Sequence, residues 1–282
     1  MSFSAGTRLG PYEIRERLGE GGAGEVYRAH DPRLDRDVAI KILSGHVASN
    51  LEALARFEEE AKAVAALSHS NVIAIYDVEL DPDLPYVVTE LLEGGTLRER
   101  LRDGALPVST AIHYALQISS GLAAAHDSGV VHRDLKPENL FVTQRGQIKI
   151  LDFGSAQRVL PAEDEEATLA EQGQSSGLLL GTVPYMSPEQ VRGGEVDDRS
   201  DIFSFGTVLY EMLVGERPFK GDYLAATMQA IVQLDPTPLR ELNPNVPPAL
   251  ERIVGRCLEK LPDQRFRSAH DLGLTLETVT LD

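Results

Sequence analysis

Basic residues are scarce in this chain of 282 residues: 27 lysines and arginines stand against 44 aspartates and glutamates, a formal charge of −17. An excess of that sign argues against a nucleic-acid or anionic-membrane surface and favours basic or neutral partners. From Val159 through Val191 there is no lysine or arginine at all. Cysteine is scarcer still. The single Cys257 excludes an intrachain disulfide and fits a reducing compartment, and its setting in IVGRCLEKL places it on the buried face of a helix. The first ten residues, MSFSAGTRLG, lack the apolar core of a signal peptide, and nowhere do about 18 apolar residues run together as a membrane span requires. The expectation is a soluble, cytoplasmic segment with no nucleic-acid partner and no membrane contact of its own.

What is present is a chain of 42% hydrophobic residues, enough to bury a core in one sizeable domain or two lobes. Strand signals dominate the first third. PYEIRERLG alternates, turns through glycines and resumes at EVYRAHD; RDVAIKIL follows the turn-like DPRLD. NLEALARFEEEAKAVAALSH has helical period, with Leu54, Phe57, Ala61 and Val64 on one face and Asn50 as its cap. NVIAIYDVEL and LPYVVTELL read as two more strands, split by Asp81, Pro82 and Asp83. After EGGTL the pattern changes: STAIHYALQISSGLAAAHDSG predicts one long helix closed by Gly129, and the remainder is mostly helical apart from LFVT and IKIL. The coarse expectation is a five-strand antiparallel sheet with one helix, a glycine-containing joint, then a larger helical body.

The chemistry begins in GEGGAGEV. Glycines at 19, 21 and 24 followed by Val26 let backbone N–H groups approach phosphate oxygens closely, and the loop joins two strands rather than opening a helix, which speaks against a Rossmann site. Fifteen residues on, VAIK sets Lys41 among apolar neighbours. A lysine there can stay charged in a cleft if a carboxylate meets it. Of the three candidates, Glu60 lies about 60° from the centre of the helix's apolar face, Glu58 about 100° and Glu59 on the far side, so Glu60 is the expected partner. In VVHRDLKPENLFVT, Asp134 precedes Lys136 by two and Asn139 by five, and Asp152 follows across a hairpin turning at Arg145 and Gly146. Asn139 and Asp152 are hard oxygen ligands suited to magnesium shared with a nucleotide's phosphates, and Asp134 can accept a hydroxyl proton.

Taken together, GEGGAGEV, VAIK, HRDLKPEN, DFG and SPE stand in the order and spacing of the eukaryotic-type protein kinase domain, and the chain resembles that family over nearly its full length. DPRLDRDVAIKIL and YMSPEQ resemble the bacterial serine/threonine members in particular. The resemblance implies an α+β, bilobal fold: a small antiparallel-sheet N-lobe with one helix at 1–90, a hinge at 91–95, a mainly helical C-lobe at 96–282, and an activation segment at 152–189. It implies ATP between the lobes and magnesium, or manganese in its place, as cofactors. Lys41 would bind the α and β phosphates and be held by Glu60; Asp134 would be the catalytic base; Lys136 would meet the transferred phosphate; Asn139 and Asp152 would bind the metal. Thr89 would be the gatekeeper, Glu90 and Leu92 would offer backbone groups to adenine, and Leu18, Val26, Ala39 and Phe141 would sandwich the ring, with Gly19, Gly21 and Gly24 over the phosphates and Glu93 near the ribose. His132, Phe153, Val64 and Ile75 would stack into an apolar spine, Asp201 would brace the HRD segment, and Arg265 would pair with Glu189. His126 reads as a packing residue on its helix.

Three positions depart from the pattern: Ser187 replaces the alanine of APE, Ala23 sits at the tip of the glycine loop, and Phe205 stands where leucine is usual. Readings from other classes are weaker. A nucleotide-binding pseudokinase or scaffold would lack Lys41, Asp134 or Asp152, and a small-molecule kinase would lack SPE, Asp201 and Arg265. The pair Lys136 and Thr182 implies serine/threonine preference. The partners implied are protein substrates, with a homodimer through the N-lobe as a further arrangement; bacterial relatives often carry a membrane span beyond the kinase, here beyond residue 282. Arg133, directly before Asp134, implies an activation loop ordered by its own phosphate, with Ser176, Ser175 and then Thr168 as acceptors. AEDEEATLAEQGQSSG, with five acidic and no basic side chains, lies in the middle of that loop, its carboxylates drawn toward Arg133.

Overall fold

In RDVAIKIL, Val38, Ile40 and Ile42 alternate with Asp37, Ala39 and Lys41, so a strand built from it has two unlike faces. The computed structural model uses both. It describes residues 3–21, 24–43, 51–81, 84–153 and 182–280. The expected helix cap Asn50, the loop-tip Ala23, Gly154 of DFG and the phosphoacceptors Thr168, Ser175 and Ser176 lie outside the described residues, as does the acidic stretch. The chain divides into two compact units, Met1–Glu93 and Gly94–Asp282.

The first unit is a sheet of β1 (Arg8–Leu9), β2 (Tyr12–Gly21), β3 (Gly24–Asp31), β4 (Arg36–Leu43), β5 (Ile75–Glu79) and β6 (Tyr86–Glu90) in the order β1-β2-β3-β4-β6-β5, with every pairing antiparallel. It has one strand more than the alternation pattern indicates. β1 is two residues long, too short to show a period of two, and it exists because Leu9 and Arg8 pair with Tyr12 and Glu13. One face carries the core: Tyr12, Ile14, Tyr27, Ala29, Val38, Ile40, Tyr86 and Val88 form a single buried cluster. Helix α1 (Leu51–Ala65) packs against β5 and buries Leu54, Ala61 and Val64, three of the four residues its periodicity selects, with Phe57 half-buried.

The second unit opens with β7 (Gly94–Thr96), which pairs with β8 (Leu140–Thr143) and through it with β9 (Ile148–Ile150). The glycines expected in the joint therefore belong to a strand. Between these lie α2 (Leu97–Arg100) and α3 (Val108–Asp127); Gly129, at φ 75, ends α3 as expected, with Val130 N–H returning to Ala125 O at 3.0 Å. Then follow α4 (Pro188–Val191), α5 (Asp198–Val214), α6 (Leu224–Gln233), α7 (Leu239–Leu242), α8 (Pro248–Cys257) and α9 (Ala269–Glu277). α5 is the axis of this unit. Every residue from Ser200 to Leu213 is buried, and α3, α7 and α8 pack around it. A helix buried all round must satisfy its polar side chains internally. Asp201, Ser204 and Glu211 follow helical spacing along one side of α5, and their partners are the loops that carry the chemistry. Cys257 is fully buried, and burial pushes its thiol pKa well up. Among the described residues, no helix is long and apolar enough to cross a membrane.

Candidate active site

The register of the first unit gathers the expected nucleotide-binding residues on the face opposite its core. Lys41 lies directly across from Val26 on one side and Val87 on the other, and Ala39 lies across from Thr89. Directly paired residues share a face, so Val26, Ala39, Lys41 and Thr89 form one half-buried patch over three adjacent strands. Gly19 pairs with Val26 and Gly21 with Gly24 across the β2–β3 hairpin. Gly24 sits at φ 142, and a Cβ there would come within 1.7 Å of the Ile42 carbonyl oxygen, so this position admits no side chain. Leu18 stands at a break in register between Arg17 and Gly19 and is 48% exposed. On α1, Glu59 is exposed and Glu58 binds Lys62 at 2.5 Å; Glu60 is half-buried. Glu90 donates its N–H to Ala74 O at 3.0 Å and accepts Ala74 N–H on Oε1 at 2.9 Å, so what its backbone can offer a base narrows to the carbonyl. Leu92 is half-buried outside any regular element, and Glu93 is exposed.

In the second unit the HRDLKPEN loop folds on itself and on α5. Asp201 Oδ2 accepts the His132 N–H at 2.7 Å and Oδ1 accepts the Arg133 N–H at 2.8 Å. His126 on α3 donates from Nε2 to the same Oδ2 at 2.8 Å. The packing role expected for His126 is thus corrected: the ring is a polar brace, and its partner, 75 residues away in sequence, is invisible to helical periodicity. Arg133 takes φ 65 and Asp152 φ 54, both in the left-handed region. Left-handed residues cost energy that the surroundings must offset, and they concentrate at functional sites. Lys136 Nζ donates to both Asp134 oxygens, at 3.0 and 2.7 Å, and to Thr182 Oγ1 at 2.7 Å. Asn139 Nδ2 donates to Asp134 O at 2.8 Å and Oδ2 at 3.2 Å, which directs the amide hydrogens at Asp134 and leaves Oδ1 as the side that can ligate a cation. Leu151 ties β9 to this cluster: its N–H donates to Asn139 O and its carbonyl accepts from His132 Nε2, each at 2.8 Å, which sets Asp152 immediately beyond. The Phe153 ring lies 4.7 Å from that of His132, and Phe141 is half-buried on β8.

Two charged assemblies anchor the surroundings. Arg265 is 1% exposed and forks onto Glu189, at 2.7 and 2.8 Å, while its remaining N–H groups reach the carbonyls of Glu259, Arg199 and Lys260. Burial alone would raise the Glu189 pKa, but the hydrogen bonds and charge of Arg265, with the Ser200 hydroxyl, outweigh it and hold the carboxyl below its usual value. The second assembly centres on Arg98, which lies in no motif. Arg98 on α2 donates to Glu138 of the PEN turn and to Glu211 of α5, both at 2.7 Å, and to the Tyr185 hydroxyl, which in turn donates to Glu211 Oε2 at 2.5 Å. Burial above all pushes the Tyr185 phenol well up, so it remains a donor. Glu138, inside KPEN, and Tyr185, the first residue of YMSPEQ, were the members that their sequence setting could have flagged.

A glycine hairpin and a strand lysine in the first unit, and a clustered aspartate, lysine and asparagine in the second, are the parts that phosphoryl transfer of the kinase type calls for. The protein kinase domain family matches residues 12–273. The serine/threonine-protein kinase PknL of Mycobacterium tuberculosis is 38% identical over 269 residues, 95% of this chain and 65% of that protein. PknB of Mycolicibacterium smegmatis is 39% identical over 276 residues, 95% of this chain and 43% of that protein. In fold, the crystal structure of the M. tuberculosis PknI kinase domain superposes with a TM-score of 0.77 at 24% identity, covering 98% of each chain. The chain belongs to the protein kinase domain family, among its bacterial serine/threonine members. It spans less than two thirds of the length of these curated relatives.

Proposed function

We propose that this domain moves the γ-phosphoryl group of ATP onto serine and threonine hydroxyls of proteins and phosphorylates its own activation loop. The observation that carries the reading is the Asp134 cluster: a carboxylate gripped by Lys136 and Asn139, with the Thr182 hydroxyl on the same ammonium. Asp134 accepts the proton of the attacking hydroxyl as the new O–P bond forms and the bond from phosphorus to the ADP oxygen breaks. Lys136, which neutralises Asp134 in this state, turns toward the transferred phosphate, and Thr182 keeps it in place. Lys41, held by Glu60, binds the α and β phosphates; Gly19, Gly21 and Gly24 let backbone N–H groups approach them; Leu18, Val26, Ala39 and Phe141 enclose adenine, with Thr89 as gatekeeper and Glu90 and Leu92 at its edge. Asn139 and Asp152 are the oxygen donors that would hold magnesium, or manganese, which when bound neutralises phosphate charge. Ser176 and Ser175, then Thr168, are the loop acceptors. The protein works in the cytoplasm on protein substrates, with the small lobe as a homodimer surface.

The test is incubation of the purified chain with magnesium, labelled ATP and a basic protein, followed by phosphosite mapping, beside an Asp134→Asn control. Label in substrate and loop that disappears in the control is the expected result. No incorporation anywhere sinks the reading, and an active enzyme with Ser176, Ser175 and Thr168 unmodified removes the loop acceptors alone.

A further inference from the structure

Arg133 immediately precedes Asp134 and stands at φ 65, a conformation that an L residue populates roughly 5- to 30-fold less readily than the right-handed one. Its two flanking peptide groups are gripped by different elements. Its N–H donates to Asp201 Oδ1 of α5 at 2.8 Å, and its carbonyl accepts from Gln190 Nε2 of α4 at 2.7 Å. The first bond fixes the peptide before Arg133; the second holds the peptide that aims Asp134, whose own N–H donates to His132 Nδ1 at a longer 3.2 Å. Gln190 is itself immobilised: its Oε1 accepts the Ser187 N–H at 2.9 Å and its own N–H donates to Ser187 Oγ at 3.3 Å, a capping box on a fully buried serine. A single side-chain amide therefore bridges the cap of the SPE helix and the carbonyl next to the candidate base.

We propose that Gln190 is a positioning residue for Asp134: it holds Arg133 in the left-handed conformation and so makes the aim of the carboxylate depend on the seating of the 182–191 segment. The inference rests on the kinase reading of this site. Its chemical content is the asymmetry of the amide, acceptor toward Ser187 and donor toward Arg133.

That asymmetry supplies the test. Gln190→Glu keeps the acceptor for the cap, since glutamate serves a capping box as well as glutamine, and replaces the donor to Arg133 O with a carboxylate oxygen that repels that carbonyl. Steady-state kinetics on a peptide substrate should show kcat down about tenfold, KM for ATP within about twofold and an unchanged melting temperature. Gln190→Met, which loses both contacts, should lose the same activity and also melt lower. Both are repeated in an Arg133→Gly background, where glycine takes φ 65 without penalty and any other role of the arginine cancels in the comparison; there the cost of Gln190→Glu should shrink to less than about threefold. Gln190→Glu with wild-type kcat, or an equal loss in both backgrounds, overturns the proposal. If the wild type transfers no phosphate, the kinase reading falls and takes this with it; an active wild type with a neutral Gln190→Glu refutes the positioning role alone.

Discussion

Replacing Arg265 by methionine should unfold the second unit at a much lower temperature while leaving its core volume nearly unchanged. The native guanidinium has no exposed surface and makes the two charge-assisted bonds to Glu189 together with three to main-chain carbonyls. Without it, Glu189, whose side chain is 11% exposed, keeps the Ser200 hydroxyl at 2.6 Å and a backbone N–H but no opposite charge. Breaking one side of such a pair costs about 3–5 kcal/mol, because the remaining charge is buried without compensation. At about 2–4 °C per kcal/mol for a unit of this size, melting falls by roughly 6–20 °C. The effect carries a pH signature. In the wild type the folded pKa of Glu189 lies below its unfolded value, so its stabilisation is complete above that unfolded value and is lost as pH falls through the folded one. In Arg265→Met, burial, the largest influence on this carboxyl, outweighs the hydrogen bonds that remain and places the folded pKa above the unfolded one; the penalty is then full at neutral pH and relieved on acidification. Denaturant titration at several pH values should show the gap widest near pH 7 and narrowing toward pH 4. The double variant Glu189→Leu with Arg265→Met should recover at least about 1 kcal/mol over Arg265→Met alone. A single variant within about 1 kcal/mol of wild type at pH 7, or a double variant no better than the single, would refute the reasoning.

Gly24→Ala should raise the KM for ATP and lower stability by at least about 2 kcal/mol, since the new methyl group must displace β4 at the Ile42 carbonyl from a backbone already at φ 142. An alanine variant with unaltered ATP affinity would show that the β2–β3 hairpin relaxes freely. His126→Phe removes one of three hydrogen bonds to the buried Asp201 and should cost about 1.5–3 kcal/mol with a parallel fall in kcat, because the bonds that remain hold the backbone on either side of His132. Wild-type melting and turnover in that variant would return His126 to the packing role its helix suggests.

Much of the site was legible because its chemistry is compressed into short segments. Asp134, Lys136 and Asn139 fall within six residues, and the structure clusters them through bonds of 2.7 to 3.2 Å. The alternation in VAIK already separates the Lys41 face from the Ile40 face, and the pairing of β3, β4 and β6 then adds Val26 and Thr89 to it. Glycine 24 could be flagged from its motif, but the reason for it, the oxygen of Ile42, comes from a strand that follows later. Strands β1 and β7 escaped notice for a different reason: at two and three residues they carry too little sequence for any period to register.

By itself, then, the sequence determined the order and type of the principal elements, the family, and the residues that can donate, accept and ligate, because these depend on local periodicity and on motif spacing. Tertiary structure alone decided how those residues are held. Arg98, Glu211 and Tyr185, Gln190 against Arg133, and His126 against Asp201 are pairings across 26 to 113 residues, and no local rule of propensity or spacing encodes them. The pairings of Glu211 and Asp201 arise because α5 is buried on all sides and must find partners for its polar groups. The partners come from α2, α3 and the segments that carry the chemistry.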